Sequence, residues 1–389
     1  MATKRLLGLL TAICLVAALP ALAEDPASKP EAAGNAALQY WQAFGSLPHG
    51  DKDQEKLLEE WDRAPLDQAS VKLVEGGKGA LLFLHRAAKL PQCNWSLDYE
   101  DGPKMLMPHL EKARTLARLA CLRARWKFHE GKPREAVDDV VATLTLGRRV
   151  GADPVLLSML VGFVIERLAI QAVQADFAKL DPATLQYLAE KVDKLPQAVS
   201  LRQTVLGERD NFIDWMIREL KRAAGTDGWK EIAMVVIEPP QRERVFSEIQ
   251  SGERFLQCLE EIRPLYEDMA RLVTLPREQF DAQWPDFVSK KKSANVLADL
   301  LLPALDKVVN ANRQAQTRIT LLKAALAVAQ GGEAKLKDFP DPGGNGPLTY
   351  KTLAAGFSLQ SQTRDAKGEL ITFYAGQAPR HPPKKKEPN

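Results

Sequence analysis

The chain has 389 residues, of which 45% are hydrophobic and 26% charged, with 53 basic against 50 acidic side chains. That is enough apolar material for a large core, and it excludes a mainly disordered chain. Setting aside Lys4, Arg5 and everything after Pro379 leaves 47 basic against 49 acidic residues, a balance that argues against nucleic acid as the main partner.

The first residues read MATKR, then LLGLLTAICLVAALP, then Ala21-Leu22-Ala23 ahead of Glu24-Asp25. A basic start, an apolar stretch and small residues before an acidic pair make the pattern of a secretory signal peptide over 1–23, with the mature chain starting near Glu24. Lipidation at Cys14 is disfavoured, because Ile13 is large for that position and the apolar run continues beyond it. The expected location is therefore the periplasm, the cell envelope or the outside of the cell. Residues 24–35, EDPASKPEAAGN, read as a flexible spacer.

From 36 to 330 the apolar spacing is helical throughout, interrupted by Pro and Gly, and predicts one all-helical domain. The clearest unit runs from Pro108 to Val150. Leu110, Ala113, Ala117, Ala120, Cys121, Ala124 and Phe128 share one side of a helix that ends at Gly131, and Pro133 opens a second with Ala136, Val137, Val140 and Leu144 on its apolar side. Joined by Gly-Lys-Pro, the two predict an antiparallel hairpin. Further helices are predicted over 153–176, 182–193, 198–224, 240–273, 276–290 and 293–329. The longest apolar run past the signal, VLLSMLVGFVI at 155–165, falls short of the ~20 residues that cross a bilayer, so no transmembrane segment is expected after cleavage. After Gly331-Gly332 the pattern changes: LTYKTL, GFSLQSQ and ELITFYA alternate, with turn residues between them, and predict a three-stranded antiparallel meander within 331–376. A sheet that small must pack on the preceding helix. The end, 377–389, is a Pro-rich basic tail expected to be disordered.

Candidate chemistry gathers in CNWSLDYEDGP, residues 93–103, and the helix after it. Asp98, Glu100 and Asp101, with His109 nearby, could ligate a hard cation or form an acid and base pair. The alternative is a tied loop in which Cys93 and Trp95 are buried and Asp98 to Pro103 form a turn, and this is the reading favoured here. Arg114, Arg118 and Arg125 fall within about 40° of one another around the next helix. That stripe could grip an anion, but the favoured expectation pairs it with acidic residues of a neighbouring helix, Asp138 and Asp139 being the candidates. Three cysteines remain past the signal, which allows a Cys93–Cys121 disulfide with Cys258 free, or three separate thiols.

No pair of histidines stands at i,i+4, there is no Cys-x-x-Cys, and Gly-Gly-Lys-Gly at 76–79 lacks the phosphate-loop spacing. No metal or cofactor is expected, and no catalytic motif is found. FHEGKPREAVDDVVATL resembles one tetratricopeptide unit, without a second copy in register. The CNW and EDGP loop, HLEKARTLARL, AVDDVVATLTLGRRVGADPVLLSMLVGFVIE, GERDNFIDWMI, EQFDAQWP and DPGGNGPLTY together resemble a group of uncharacterised exported proteins of planctomycete-type bacteria. That resemblance implies an exported helical protein and transfers no catalytic residue. The helix, turn and meander at the carboxyl end are also similar to the end of type II secretion pseudopilins.

The expectation is a mainly α protein of antiparallel helical hairpins, tetratricopeptide-like in part, with a small C-terminal β meander. Its expected work is binding or scaffolding of a protein partner, through Trp95, Asp98, Glu100, Asp101, His109, Arg114, Arg118 or Arg125. The alternatives are an enzyme with a carboxylate and histidine site within 98–109, and a small-ligand sensor.

Overall fold

The computed structural model describes residues 34–223, 228–302, 304–344 and 346–376, so the expected signal peptide, most of the expected spacer and the basic tail lie outside the described residues. The described residues take in the end of the expected spacer. Asn35 caps the first helix and exchanges hydrogen bonds with Asn94, its Nδ2 donating to Asn94 O at 2.8 Å and its Oδ1 accepting from Asn94 N at 2.9 Å.

Among the described residues, sixteen α-helices precede a three-stranded sheet. The first four are α1 (Ala36–Gly45), α2 (Lys52–Glu59), α3 (Gln68–Gly76) and α4 (Lys78–Lys89). Asp51 and Asp67 start α2 and α3 by accepting from the backbone N–H of Gln54 and Ser70, which satisfies donors that a helix start leaves free. The predicted hairpin is α5 (His109–His129) and α6 (Pro133–Val150), with Gly131 at φ +72° in the bend and Pro133 in the first turn. Beyond it come α7 (Leu156–Asp176) and α8 (Pro182–Asp193), then α9 (Leu201–Glu208), which continues through a π turn into α10 (Asp214–Arg222).

Two of the long helices expected from sequence are broken. The span 240–273 divides into α12 (Pro239–Glu248) and α13 (Gly252–Leu272), after the short α11 (Trp229–Val236). Ser251 restarts the chain by accepting from Arg254 N at 3.2 Å, and a helix start imposed there ends the previous helix. After α14 (Arg277–Ala294), the span 293–329 divides into α15 (Ala298–Leu301) and α16 (Leu305–Gly331). Asn295, accepting from Leu297 N, supplies the break before α15.

The sheet is β1 (Thr349–Leu353), β2 (Gly356–Arg364) and β3 (Leu370–Gly376), antiparallel in sequence order, with Tyr350 opposite Leu359 and Leu359 opposite Phe373. Its buried face, Leu359, Ile371, Phe373 and Ala375, packs on α7 and α16, with Phe373 meeting the Phe177 ring edge-on at 5.2 Å. Asp341 pins the turn before β1: its carboxylate accepts from Ser361 Oγ, from Gly343 N at 2.9 Å and from Gln362 N at 2.7 Å. The meander thus has a buried apolar face and a polar anchor, as a sheet of this size requires.

Buried apolar side chains form two clusters. One joins α1 to α8, the sheet and the latter half of α16, and the other joins α9 to α15 with the first turn of α7 and the first turns of α16. Both α7 and α16 therefore run from one core into the other. α7 with its following turn is also long and apolar enough to cross a bilayer, longer than the run 155–165 suggested. It is packed against α5, α6 and α16, and 61% of its most apolar stretch is buried within the fold. The α6–α7 crossing depends on glycines: a Cβ on Gly162 would stand 2.7 Å from Gly147 O and 2.9 Å from Gly151 Cα.

Two glutamates are enclosed along α7. Glu166 lies 3.2 Å from Arg148 Nε, and Glu208 of α9 accepts the Leu156 N–H at 2.6 Å, capping α7 from a distance of 52 residues in the chain. Burial pushes each carboxyl up to about 7, against the pull of Arg148 on Glu166 and of the Leu156 N–H on Glu208. The folded state therefore holds protons that the unfolded chain has released above about 4.5. Stability from this source is full below that pH, falls as pH rises to 7, and is level beyond. A shift of this size corresponds to at most about 3 kcal/mol per group. The urea midpoint should be higher at pH 5 than at pH 8, and Glu166→Gln with Glu208→Gln should remove most of that slope. An unchanged slope in the double variant would contradict the assignment.

Candidate functional site

The loop after α4 is tied at every turn. Ala36 N donates to Gln92 O at 2.9 Å, and Ser96 takes φ +55° with its N–H on the Asn94 side chain. Trp95 is buried, its indole N–H donating to Arg149 O at 3.1 Å. Its ring stacks on His109 at 4.6 Å, Tyr40 at 5.5 Å and Phe44 at 6.0 Å. Arg149, itself buried, donates to Ala87 O and Leu90 O, closing carbonyls that the end of α4 leaves open.

The loop carboxylates do not converge. Asp98 accepts from Glu100 N at 3.1 Å and starts a 3-10 turn, Tyr99–Lys104, while the Glu100 and Asp101 side chains are exposed. Gly102, at φ +55°, lies against Trp215, and a Cβ there would be 2.4 Å from the indole. Tyr99 donates to Asp153 Oδ1 at 3.3 Å. His109 is fully buried, and the carboxylate near it is Asp153, 3.7 Å from Nε2, too long for a hydrogen bond. Burial raises the Tyr99 hydroxyl and pushes the Cys93 thiol up to about 12, the reverse of what a nucleophile needs.

The Cys93–Cys121 disulfide is not formed: all three described cysteines are free thiols. Cys93 sits under the influence of Arg149 and Asp153, and Cys121 under that of Asp139. Asp139 and Arg149 are ten residues apart on α6, roughly 15 Å of helix axis, which keeps the two sulfurs at different levels.

The arginine stripe is divided, and its expected pairing with Asp138 and Asp139 is replaced by others. Arg114 pairs with Glu111 at 3.3 Å within its own helix. Arg125 donates to Trp61 O and to Ala64 O at 3.1 Å, and burial lowers its pKa despite Asp62 and Asp176. Asp139 is held instead by Arg123, whose Nε donates to Oδ2 at 2.8 Å and whose Nη2 donates to Oδ1. His85 Nε2 lies 2.7 Å from the same oxygen and 2.8 Å from Arg123 Nη2, and its tautomer decides which of those two bonds it makes. Asp138 accepts from Tyr187 at 2.6 Å. Arg123, His85, Arg149 and Asp153 were not singled out from sequence. Asp139 carried a signal, since it falls between Ala136, Val140 and Thr143 on an apolar helix side where a carboxylate needs a buried partner.

Of the sequence candidates, Arg118 lines an open groove. The groove encloses ≈ 900 Å³ between the end of α1, the loop to α2, α2 itself and the first half of α5. Phe44, Leu47, Leu58 and Leu73 supply its apolar wall, and Trp41, 38% exposed, stands at its mouth. The Trp41 ring meets Phe44, Trp95 and His109 edge-on at 5.4, 6.2 and 6.4 Å, so the buried aromatic stack fixes its position. Glu55, Glu59, Glu111, Lys112 and Arg118 give the rim both signs of charge. Such a surface can bury an apolar side chain and orient charged neighbours; it presents no assembled nucleophile and base. Among the described residues no group of three or more His, Cys, Asp or Glu side chains is placed to hold a metal.

The chain matches no family model, no curated protein and no solved structure at a significant level.

Proposed function

We propose that this chain is an exported helical binding or scaffolding protein of the periplasm or cell envelope, and that the α1–α2–α5 groove holds a segment of a partner protein. The observation that carries the reading is Trp41, a large aromatic held half-open by a rigid stack at the mouth of an apolar groove of ≈ 900 Å³. That volume is in the range of ligand sites, and anchored aromatics ringed by polar groups dominate protein interfaces. Export is supported by the signal pattern over 1–23. An enzyme site within 98–109 is less favoured, because Trp95 and Trp215 fill the space beside that loop.

The test uses three immobilised mature chains in native envelope extract: wild type, Trp41→Ser, and Met234→Ser as a control at an exposed apolar position on α11. A stoichiometric protein retained by wild type and by the control, and reduced tenfold or more by Trp41→Ser with an unchanged melting temperature, is the expected result. Equal retention by all three would remove the groove from the account of binding.

A further inference from the structure

A second groove, ≈ 920 Å³, lies between α7, α16 and the β2–β3 hairpin. α7 contributes Arg167, and Gln171 and Gln174 follow it on the same side at i+4 and i+7. α16 contributes the half-buried Arg318. Burial lowers the pKa of Arg318, and the next influence in the same direction is the positive charge of Arg167.

Neither guanidinium has a hydrogen bond or ion pair among the described residues. The acids of the groove do not change that. Asp365 attracts Arg318 only through space, because its Oδ1 accepts the Lys367 N–H at 2.8 Å and the Glu369 N–H at 3.0 Å within the β2–β3 turn. Glu369 is the other carboxylate lining the groove, which also holds Lys367, close enough to act on Asp365, and Arg364, whose Nη1 donates to Gly368 O at 2.7 Å. Two adjacent guanidiniums, one of them withdrawn from water, cost free energy that a folded chain recovers when an anion stands between them. Each offers a planar fork of N–H donors that matches two oxygens of a phosphate or carboxylate. Around them Gln171, Gln174, Gln360 and Tyr374 provide uncharged donors and acceptors suited to hydroxyl or amide groups.

We propose that this groove binds a polar small molecule bearing a phosphate or carboxylate group, with the oxyanion held between Arg167 and Arg318. Binding here is independent of the α1–α2–α5 groove, so either assignment can fail without the other.

The experiment is thermal unfolding of the purified mature chain in inorganic phosphate and, separately, in succinate, each against sodium chloride of equal ionic strength. A saturable rise in Tm of about 3 °C in at least one anion is expected for wild type. Arg167→Gln and Arg318→Gln should abolish it, and Arg167→Gln should melt above wild type in chloride because one of the two repelling charges is gone. Which anion acts identifies the group that the site prefers. No saturable rise in either anion would overturn the proposal, and so would an equal rise in Arg167→Gln, which retains every other basic residue of the chain.

Discussion

Replacing Asp139 with alanine is expected to destabilise the fold by about 3–5 kcal/mol, the cost of breaking a buried ion pair from one side. Asp139 is 1% exposed and is the acceptor for two Arg123 donors, while His85 stands within hydrogen-bond distance of the same carboxylate. Without it, Arg123 keeps a partly buried charge whose ion-pair partner is gone. Exposed ion pairs of this chain, such as Arg244 with Glu248, should change stability by less than about 1 kcal/mol when broken. Combining Asp139→Ala with Arg123→Met should recover part of the loss, because the unbalanced charge goes too. Urea unfolding of the two single variants and the double variant measures this, and a loss below about 1 kcal/mol for Asp139→Ala would show that the network is not holding the hairpin.

Trp95→Ala is expected to cost about 3–5 kcal/mol, as large aromatic deletions from a packed core do. The ring joins Tyr40 and Phe44 of α1 to His109 of α5, and its N–H satisfies Arg149 O. Truncation opens a void, takes from that carbonyl its side-chain donor and removes the ring against which Trp41 is set. Loss of partner retention should therefore accompany loss of stability, whereas Trp41→Ser should lose retention alone. Trp95→Phe, which keeps a ring but not the donor, should fall between alanine and wild type. If Trp95→Ala unfolds at the wild-type urea midpoint, the stack does not anchor α1.

Much of the architecture was legible because it follows from local rules. The strands begin and end within two residues of the alternating segments, and Pro133 with Gly131 marked the hairpin turn. The breaks at 249–251 and 302–304 were missed although the sequence carries a signal for each. Ser251 followed by Gly252 and Glu253 is a helix start, and Pro303 stands between α15 and α16. Apolar residues recur on both sides of each break, and their recurrence alone does not mark where one helix stops and the next starts. The site was less legible. Trp95 and the turn at Asp98 were read as a tied loop, which the hydrogen bonds of Asn35, Asn94 and Asp98 bear out. The partners that matter, Arg149 and Asp153, stand 54 to 62 residues away in sequence from the groups they hold, and no spacing rule links residues at such separations. Trp41 was not singled out from sequence, because nothing in its local pattern marks a ring that the fold leaves 38% exposed beside a groove.

The groove as a protein-binding surface is tested most directly by placing a photo-crosslinking amino acid at Thr115, which lines it from α5, and at Ser247, exposed on α12, and irradiating the native envelope. One discrete protein adduct from position 115 and none from position 247 is the expected result. No adduct from position 115, or the same adducts from both positions, would contradict the assignment of the groove.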